Sequence, residues 1–521
     1  MLRPVTLVAL GWAAFQIYIW WNPELDLLFV RSAHLGFALA TACALYADQG
    51  TSRLRHLWYI PAVLAAVPPV FHYMGYDRWI SRISGLDPVY WSDVAVACLL
   101  GLLLLVVSLR SVGKGMTFVV LAFVAYQLFG AHLPPPLGHN QDGYAAFIDQ
   151  QILTMDGIYG IPLGISLTVV FYFILFASVF ELFGGGKMIV DLALAATGRY
   201  RGGPAKAAVV GSAMTGLVSG SAVANVMSSG IFTIPMMRRV GYRPHFAAAV
   251  EAVVSTGGQL MPPVMGAAAF IMADMLRLPY VQLLAAAALP AVLYFTTLFI
   301  TVDFESRLHA LGSVPKEEMT PTRTVLRDSG HMLIPIAWLA WRIVGGFSVA
   351  TACIEAIALT IVVGSLRRGS RQGVTAILMS LAQGAERAVT VAVPCALAGV
   401  IVGVVAFTGL GTKFTGFIVA LSDGSIVLAV GLTILATLVL GFGMPTTSAY
   451  VMGAILLAPA LVKVGFLPIS AHMIVFYFAI LSMVTPPIAL AAYAAAGISG
   501  SPPGRVGWTA FKLALPVMLI P

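Results

Sequence analysis

Apolar runs about as long as a membrane-spanning helix recur along nearly the whole chain, and short polar segments separate them. A bilayer core about 30 Å thick needs about 20 apolar residues for each spanning helix. The strict alternation of apolar and polar positions that a transmembrane β-barrel needs is missing from the sequence. The pattern therefore predicts an all-α polytopic membrane protein.

Composition strengthens this prediction. Hydrophobic residues make up 60% of the 521 positions and charged residues only 10%, whereas soluble domains carry roughly 25% charged residues. A net charge of +8 would suit nucleic-acid binding in a soluble protein. Here the enrichment of Lys and Arg in cytoplasmic loops explains the charge better, so we expect a lipid bilayer around the protein and no nucleic-acid partner.

The distribution of basic residues predicts the topology. Arg3, Arg55 and Lys114 mark cytoplasmic ends, which places the N-terminus in the cytoplasm and five helices in an N-terminal membrane domain at 1–131. Residues 132–159 contain acidic residues but no Lys or Arg. This segment is therefore expected to be an external connection and a domain boundary.

A short polar stretch, "GLVSGSAVANV" at 216–226, interrupts the apolar sequence. The arms on either side are shorter than a full span, and the segment 205–240 has basic residues near both ends. The simplest interpretation is a re-entrant hairpin that enters from the cytoplasm and returns to it. Exposed backbone at membrane depth is tolerated only against protein or a water-filled cavity, so the hairpin tip is expected to line a site.

An internal repeat relates this hairpin to a second one. With an offset of 224 residues, "IPMMRRVGYRP" falls on "APALVKVGFLP", "MPPVMGAAAF" falls on "TPPIALAAYA", and "SGSAVAN" falls on "GMPTTSA". The second hairpin is less basic at its ends and is expected to open outward, which makes the repeat inverted. The predicted segments are a first repeat at 160–330 with its hairpin at 205–240, connecting helices at 331–372, and a second repeat at 373–521 with its hairpin at about 425–465.

Each hairpin precedes a helix that glycine or proline interrupts, at "EAVVSTGGQLMPPV" and at "ILSMVTPPIA". Proline removes a backbone donor and so leaves a carbonyl free. Carbonyl, hydroxyl and amide oxygens suit a small cation such as Na⁺, and half-helix N-termini suit a substrate carboxylate. Close helix packing is the alternative role for such small polar residues. Glu251 is either a proton or ion-coupling group or a buried structural hydrogen-bonding group.

The stretches "SGSAVANV", "AVEAVVSTGGQLMPPVMGAAAFIMAD", "GMPTTSAYV" and "AHMIVFYFAILSMVTPPIALAAYAAAGI" resemble the tripartite ATP-independent periplasmic (TRAP) transporters. The resemblance covers roughly residues 160–520 and points to the TAXI type, in which a small membrane subunit, here residues 1–130, is fused ahead of the large one. It implies an elevator-type secondary transporter in the bacterial inner membrane, without enzymatic activity or organic cofactor, and with Na⁺ as the coupling ion. A separate periplasmic binding protein would deliver a C4/C5-dicarboxylate or glutamate-like acid to a monomeric permease.

The resemblance also implies which residues form the sites. The expected substrate-binding residues are Ser221, Asn225, Gln259, Thr446, Thr447 and Ser448. The expected cation ligands are Ser219, Ser221, Asn225, Ser255, Thr256, Gly257, Gly443, Thr446 and Thr485.

The expected mechanism divides the chain into moving and static parts. A transport domain at about 180–275 and 410–500 moves against a scaffold of the N-terminal helices and the helices near 280–365. The binding protein is expected to dock on the loops at 77–93 and 132–157, where Asp142 and Asp149 are candidate contacts. The final apolar stretch is shorter than a span, which leads us to expect either a truncated or an unusual C-terminal end.

Several alternatives stay open at this point. A binding-protein-independent anion/Na⁺ symporter, a proton-coupled TRAP transporter and an ion channel each accommodate irregular membrane backbone. An intramembrane enzyme with Ser221 as nucleophile would need a base within hydrogen-bond reach, and no His or Lys is evident at membrane depth. "GGGKM" at 184–188 lacks the phosphate-binding pattern of ATP-driven proteins.

Overall fold

The computed structural model describes residues 3–50, 53–140, 143–315, 319–367 and 369–521. Asp142 and the side chain of Ser219 lie outside this description. Within the described ranges the regular elements are all helical and no strand occurs. Ten helical segments there are long and apolar enough to cross a membrane, which confirms the predicted all-α polytopic membrane fold.

The α-helices begin and end as follows. In the N-terminal part of the described chain they are α1 (Pro4–Trp21), α2 (Leu27–Gln49), α3 (Tyr59–Leu64), α4 (Val67–Met74), α5 (Tyr76–Ser81), α6 (Trp91–Ser111), α7 (Lys114–Phe129), α8 (Gly143–Ile152) and α9 (Ile161–Ile165). They continue with α10 (Phe171–Leu182), α11 (Gly185–Thr197), α12 (Gly203–Ser219), α13 (Ala222–Arg239), α14 (Pro244–Gly257), α15 (Ala267–Met275), α16 (Tyr280–Leu308), α17 (Thr322–Ser329), α18 (Leu333–Val344) and α19 (Val349–Leu366). The C-terminal part contains α20 (Val374–Thr408), α21 (Leu410–Ser422), α22 (Ile426–Leu440), α23 (Thr446–Leu456), α24 (Ala458–Lys463), α25 (Pro468–Leu481), α26 (Leu490–Ser499) and α27 (Pro503–Ala514).

The described residues form two compact units that alternate along the chain. The first unit is made of residues 1–171, 378–436 and 447–472, and the second of 172–377, 437–446 and 473–521. The helices at 280–366 therefore belong to the same unit as the first hairpin. This arrangement differs from the expectation that they join the N-terminal helices in one scaffold, because compactness depends on packing partners that the repeat pattern does not specify.

In the first unit, α2 is the centre of the N-terminal helices and packs against α1, α3, α4 and α6. His34 on α2 is fully buried. Trp12 Nε1 donates to His34 Nδ1 at 3.2 Å, and Gln16 Nε2 lies 2.6 Å from the same nitrogen. His34 Nε2 lies 3.1 Å from Ser166 Oγ. Because Nδ1 accepts, the ring is neutral with its proton on Nε2, and it links α1 and α2 to the π-helical turn at 166–170.

The segment at 132–159 contains a helix, α8, which packs against α6 and α7. Asp149 on α8 is only 5% exposed. It accepts hydrogen bonds from Arg82 Nη2 at 2.8 Å, Ser84 Oγ at 2.6 Å and the Gly85 N–H at 2.8 Å. Burial acts to raise the pKa of Asp149, but these bonds outweigh it and the pKa lies below its ordinary value. The expectation that Asp149 is a docking contact is wrong, because its carboxylate is buried against Arg82.

The second unit contains the first hairpin and both interrupted helices. α12 and α13 pack against each other and against α14; α26 packs against both α13 and α14, and α27 packs against α14 and α26. α14 ends at Gly257 and continues into a single 3₁₀ turn, Gly258–Leu260. α25 ends at Leu481 and continues into the corresponding turn, Ser482–Val484.

Both turns lead into a Pro–Pro pair with a cis peptide bond, Pro262–Pro263 and Pro486–Pro487. Both predicted helix interruptions are therefore confirmed at the predicted places.

Candidate functional site

The tip of the first hairpin is a two-residue break. α12 ends at Ser219, Gly220 adopts a left-handed conformation with φ of 58°, and Ser221 caps α13 by accepting from the Ala224 N–H at 3.4 Å. Only glycine adopts this conformation readily. A Cβ on Gly220 would lie 3.2 Å from the Met265 carbonyl oxygen. The tip therefore rests on the loop that follows the first interrupted helix.

The hairpin and the interrupted helix approach each other backbone to backbone. A Cβ on Gly216 would lie 2.5 Å from the Cα of Gly258, which is closer than real Cβ contacts allow. Asn225, which is 1% exposed, donates from Nδ2 to the carbonyl oxygens of Ser212 at 3.3 Å and Ser255 at 3.4 Å. One amide side chain therefore ties α13 to both α12 and α14.

Gln259 lies in the 3₁₀ turn and is 4% exposed. Its carbonyl oxygen accepts from the Gly266 N–H at 2.7 Å. Its side-chain Nε2 has no hydrogen-bond partner among the described residues. A buried donor left unpaired costs about 1–3 kcal/mol, and a carboxylate or carbonyl oxygen bound at this position would satisfy it.

The other predicted ligands of the first interrupted helix have structural partners. Ser255 Oγ donates to Glu251, and Thr256 Oγ1 donates to the Ala252 carbonyl oxygen at 2.7 Å. A Cβ on Gly257 would lie 2.1 Å from the ring of Tyr294. The hydroxyl of Thr256 is thus bound within its own helix, while Gly257 is required by close packing.

Glu251 is the centre of a buried polar cluster. The carboxylate is fully buried, and hydroxyls of Ser212 on α12, Ser229 and Thr233 on α13, and Ser255 on α14 lie at hydrogen-bond distance from it. We call these five residues the Glu251 cluster. The polar face of α13 that contributes to it has a signal in the sequence, because Asn225, Ser229 and Thr233 are spaced four residues apart.

The predicted residues of the second repeat are divided between the two units. Gly443, with φ of 70°, and Thr446 belong to the unit that contains the first hairpin. Thr485 is also in that unit, and its Oγ1 donates to the Leu481 carbonyl oxygen at 2.8 Å. Thr447 and Ser448 belong to the other unit, where Ser448 Oγ donates to the Pro394 carbonyl oxygen at 3.3 Å.

The second unit therefore brings together the predicted residues of the first tip, both interrupted helices and the start of the second tip. The members of this set are Ser221, Asn225, Gln259, Glu251, Ser255, Thr256, Gly257, Gly443, Thr446 and Thr485. Sequence reasoning did not identify Ser212, Ser229 and Thr233 as partners of Glu251. It also assigned no role to the histidines, although His34 and His72 are buried in membrane helices.

Comparison with known proteins gives the family. Residues 99–520 match the family described as "Tripartite ATP-independent periplasmic transporter, DctM component". The C4-dicarboxylate TRAP transporter large permease protein DctM of Vibrio cholerae is 38% identical over 98 residues, which is 19% of this chain and 22% of that protein. The 2,3-diketo-L-gulonate TRAP transporter large permease protein YiaN of Escherichia coli is 26% identical over 204 residues, 38% of this chain and 45% of that protein.

This chain spans less than half the length of each of these curated relatives. Among solved structures, the YdaH transporter of Alcanivorax borkumensis aligns over 78% of this chain and 95% of its own, with 17% identity and a TM-score of 0.47. The family match alone covers most of the sequence, from within α6 to the penultimate residue. The protein therefore belongs to the DctM family of tripartite ATP-independent periplasmic transporters.

Proposed function

We propose that the protein is the membrane permease of a transporter that takes up a small organic acid by secondary active transport. The observation that carries this proposal is the convergence, in one compact unit, of a hairpin tip and two interrupted helices around unpaired or shared polar groups. The curated relatives named above are permeases for C4-dicarboxylates and for 2,3-diketo-L-gulonate, both organic acids. A dicarboxylate or glutamate-like acid is the substrate class proposed here.

The substrate carboxylate is proposed to bind where Gln259 Nε2 lacks a partner. The adjacent N-terminus of α13, capped by Ser221, adds free N–H groups and a partial positive charge. Thr446, in the same unit as Gln259, remains a proposed substrate contact, and Thr447 and Ser448 also stay proposed substrate contacts.

Na⁺ is the proposed coupling ion. The interrupted helices and hairpin tips supply neutral oxygens near Ser221, Asn225, Ser255, Gly443 and Thr485, and such hard oxygen donors are what a small cation prefers. Binding of the ion would order the tips before substrate binds, and the loaded transport domain would then cross the membrane as an elevator.

The proposed arrangement is the TAXI type, with residues 1–131 as a fused small subunit and the N-terminus in the cytoplasm of a bacterial inner-membrane protein. The family match begins at residue 99, and four candidate spans begin before that residue. This extra membrane segment supports a fusion.

A separate periplasmic binding protein is the proposed partner of a monomeric permease. It is proposed to dock on the loops at 77–93 and 132–157. Because Asp149 is buried, the exposed acidic residues among the described part of these loops are Asp77, Asp87 and Asp156.

The first test is thermal unfolding of the purified protein in NaCl against equal KCl and choline chloride. A ligand that binds only the folded state stabilises it by about 2.7 kcal/mol at about 100 times its Kd. We expect stabilisation specific to Na⁺ that is reduced in Ser221→Ala and Thr447→Ala. Thr509→Ala, whose exposed hydroxyl donates to the Arg505 carbonyl oxygen, is the matched control and should keep the full effect. Equal unfolding midpoints in all three salts would reject Na⁺ as coupling ion.

The second test is uptake of labelled dicarboxylates into proteoliposomes, with and without the cognate binding protein. We expect uptake only when the binding protein is present, and we expect Asp77→Lys with Asp156→Lys to reduce it. Uptake that does not need the binding protein would favour the binding-protein-independent anion symporter instead.

A further inference from the structure

A groove lies between α11 and α13, the second arm of the first hairpin. It has a volume of about 230 Å³, and the two helices that form it pack against each other within the second unit. Its lining from α11 is Lys187, Val190, Asp191 and Leu194. Residues spaced three and four positions apart lie on one face of a helix. The groove is therefore a continuous concave surface made by one face of each helix.

Most of the groove lining is apolar. The apolar side chains are Val190, Leu194, Ile231, Phe232, Pro235 and Met236. Ile231 is 48% exposed and Phe232 is 43% exposed. Contiguous exposed apolar surface marks a site of interaction with a membrane or a partner, and the solvent of a membrane-spanning region is hydrocarbon rather than water. The apolar part of the groove is therefore suited to a lipid acyl chain.

Two basic side chains line the same groove. Lys187 lies in the first turn of α11, shortly after the candidate span Ile161–Leu182, and Arg239 is the last residue of α13; both are exposed. Basic residues that line pockets between membrane helices bind anionic lipid headgroups. Arginine and lysine are also the usual ligands of phosphate groups in proteins.

The groove also contains one acidic residue, Asp191. Its carboxylate lies 2.8 Å from Lys187 Nζ, but the Lys187 side chain is 72% exposed. An ion pair this exposed to solvent is weak, so Lys187 can leave it for a phosphate. With two basic residues and one acidic residue, the lining has a net positive charge.

The corresponding helices of the second repeat are in closer contact. With the offset of 224 residues, α11 falls on α21, and α13 falls on α23 and α24. Lys187 corresponds to Gly411, where a Cβ would lie 3.1 Å from the Ile455 carbonyl oxygen. Phe232 corresponds to Leu456, which is 1% exposed. The open, basic groove is thus a specific feature of the first repeat and not a general result of the repeated architecture.

We propose that this groove binds an anionic phospholipid, with the lipid phosphate at Lys187 and Arg239 and one acyl chain along the apolar lining. A soluble phosphate would use the two basic side chains but none of the six apolar ones. A zwitterionic lipid would bring a further cation to a site that already contains two. The proposal goes beyond the proposed transport function and does not rest on it, because the lining includes none of the proposed substrate or cation ligands.

The first test is native mass spectrometry of the purified full chain titrated with dioleoylphosphatidylglycerol. Dioleoylphosphatidylcholine and inorganic phosphate are titrated in parallel. We expect one phosphatidylglycerol to be retained for each chain at concentrations where phosphatidylcholine is not retained. Equal retention of both lipids would indicate ordinary contact with the bilayer and overturns the proposal. Inorganic phosphate that binds as tightly as phosphatidylglycerol would indicate a soluble-anion site and also overturns it. This comparison uses the wild type, so it does not depend on whether any variant folds.

The second test removes the two positive charges with Lys187→Gln and Arg239→Gln together. A basic side chain near an anionic lipid contributes about fivefold in binding, so the affinity for phosphatidylglycerol should fall by about tenfold or more. The matched control is Lys463→Gln, because the exposed Lys463 occupies the position of Arg239 in the second repeat. We expect wild-type retention in the control. Wild-type retention in the double variant overturns the proposal.

The third test fills the apolar part of the groove with Ile231→Trp. The larger ring occupies the space proposed for the acyl chain, so retention of phosphatidylglycerol should fall to the level of phosphatidylcholine. Ile300→Trp is the matched control, because Ile300 on α16 is also 48% exposed and belongs to the same unit. Equal retention in the two tryptophan variants overturns the proposed place of the acyl chain.

These measurements distinguish the lipid site from the proposed transport function. Na⁺-specific stabilisation and uptake of an organic acid, without any preference between the two lipids, reject the lipid site and keep the transport function. Selective retention of phosphatidylglycerol that is lost in the double variant, without uptake of any organic acid, supports the lipid site and rejects the transport function.

Discussion

Asp149 and Glu251 are both buried carboxylates, but their neighbours differ in kind. Asp149 faces a guanidinium, a hydroxyl and a backbone N–H, and the side chain of its partner Arg82 is only 4% exposed. Glu251 faces four hydroxyls. A fixed cation commits a carboxylate to one charge state, whereas hydroxyls donate or accept according to need. Asp149 is therefore a charge paired with a guanidinium, whereas Glu251 is a carboxyl group held by hydroxyls alone.

The largest expected effect is that of Asp149→Ala. The substitution leaves Arg82 buried without its counter-charge, and breaking a buried pair in this way costs about 3–5 kcal/mol. Thermal unfolding in detergent measures the loss, with Asp77→Ala at an exposed position as control. An unfolding midpoint equal to that of the control would show that Arg82 and Asp149 are not a structural pair.

The next effect compares two amide replacements. Asp149→Asn removes the charge that Arg82 needs and should lower stability by about 2 kcal/mol, since hydrogen bonds between charged groups contribute about 1.5–3 kcal/mol. Glu251→Gln keeps a side chain of the same shape whose amide oxygen can accept from, and whose N–H₂ can donate to, the surrounding hydroxyls, and should change stability by less than about 1 kcal/mol. Chemical or thermal denaturation of both variants under one condition checks the order. A greater loss in Glu251→Gln than in Asp149→Asn would contradict this order.

At acidic pH we expect a smaller difference in stability between the wild type and Asp149→Asn. Because its folded-state pKa lies below the ordinary value of 3.8, its stabilisation is complete above that ordinary value and is lost as the pH falls through the lower folded-state pKa. The wild type should therefore lose more stability than Asp149→Asn over that acidic range. Unfolding midpoints measured at several acidic pH values provide the check, and parallel curves for the two proteins would contradict it.

The last expected difference is between two hydroxyls of the Glu251 cluster. Ser229→Ala removes the 2.5 Å hydrogen bond and should cost about 1–2 kcal/mol. Ser212→Ala removes a long contact of 3.4 Å and should cost less than about 0.5 kcal/mol. Unfolding of the two variants side by side tests the ranking, which fails if Ser212→Ala is the more destabilised.

Much of the fold was predictable because membrane-spanning helices are recognisable in a sequence as long, continuous apolar segments. The interruptions near Pro262 and Pro486 followed from proline chemistry and an internal repeat. α8 was not predicted, since its start lies in a segment rich in proline, histidine and asparagine. The hydrophobic pattern also did not predict which of the two compact units each helix belongs to, because helices of similar apolarity have many possible packing partners.

The candidate site was only partly predictable for a related reason. Polar residues at the tip stand out against apolar sequence, so Ser221 and Asn225 could be singled out. The partners of Glu251 come from three helices, and the sequence separation between Ser212 and Glu251 is 39 residues. The four-residue spacing of Ser229 from Asn225 indicates that α13 has a polar face. It does not indicate that Glu251 on α14 is the residue in contact with that face.

The glycine pair at Gly216 and Gly258 has a mechanical consequence. With backbone lying directly on backbone, no layer of side chains exists there that could rearrange and let α12 slide past the turn. Packed interiors resist such gaps, and Asn225 bridges the same two elements. The first hairpin and α14 are therefore expected to move as one rigid body. Any displacement of the hairpin tip would then also displace Glu251 on α14.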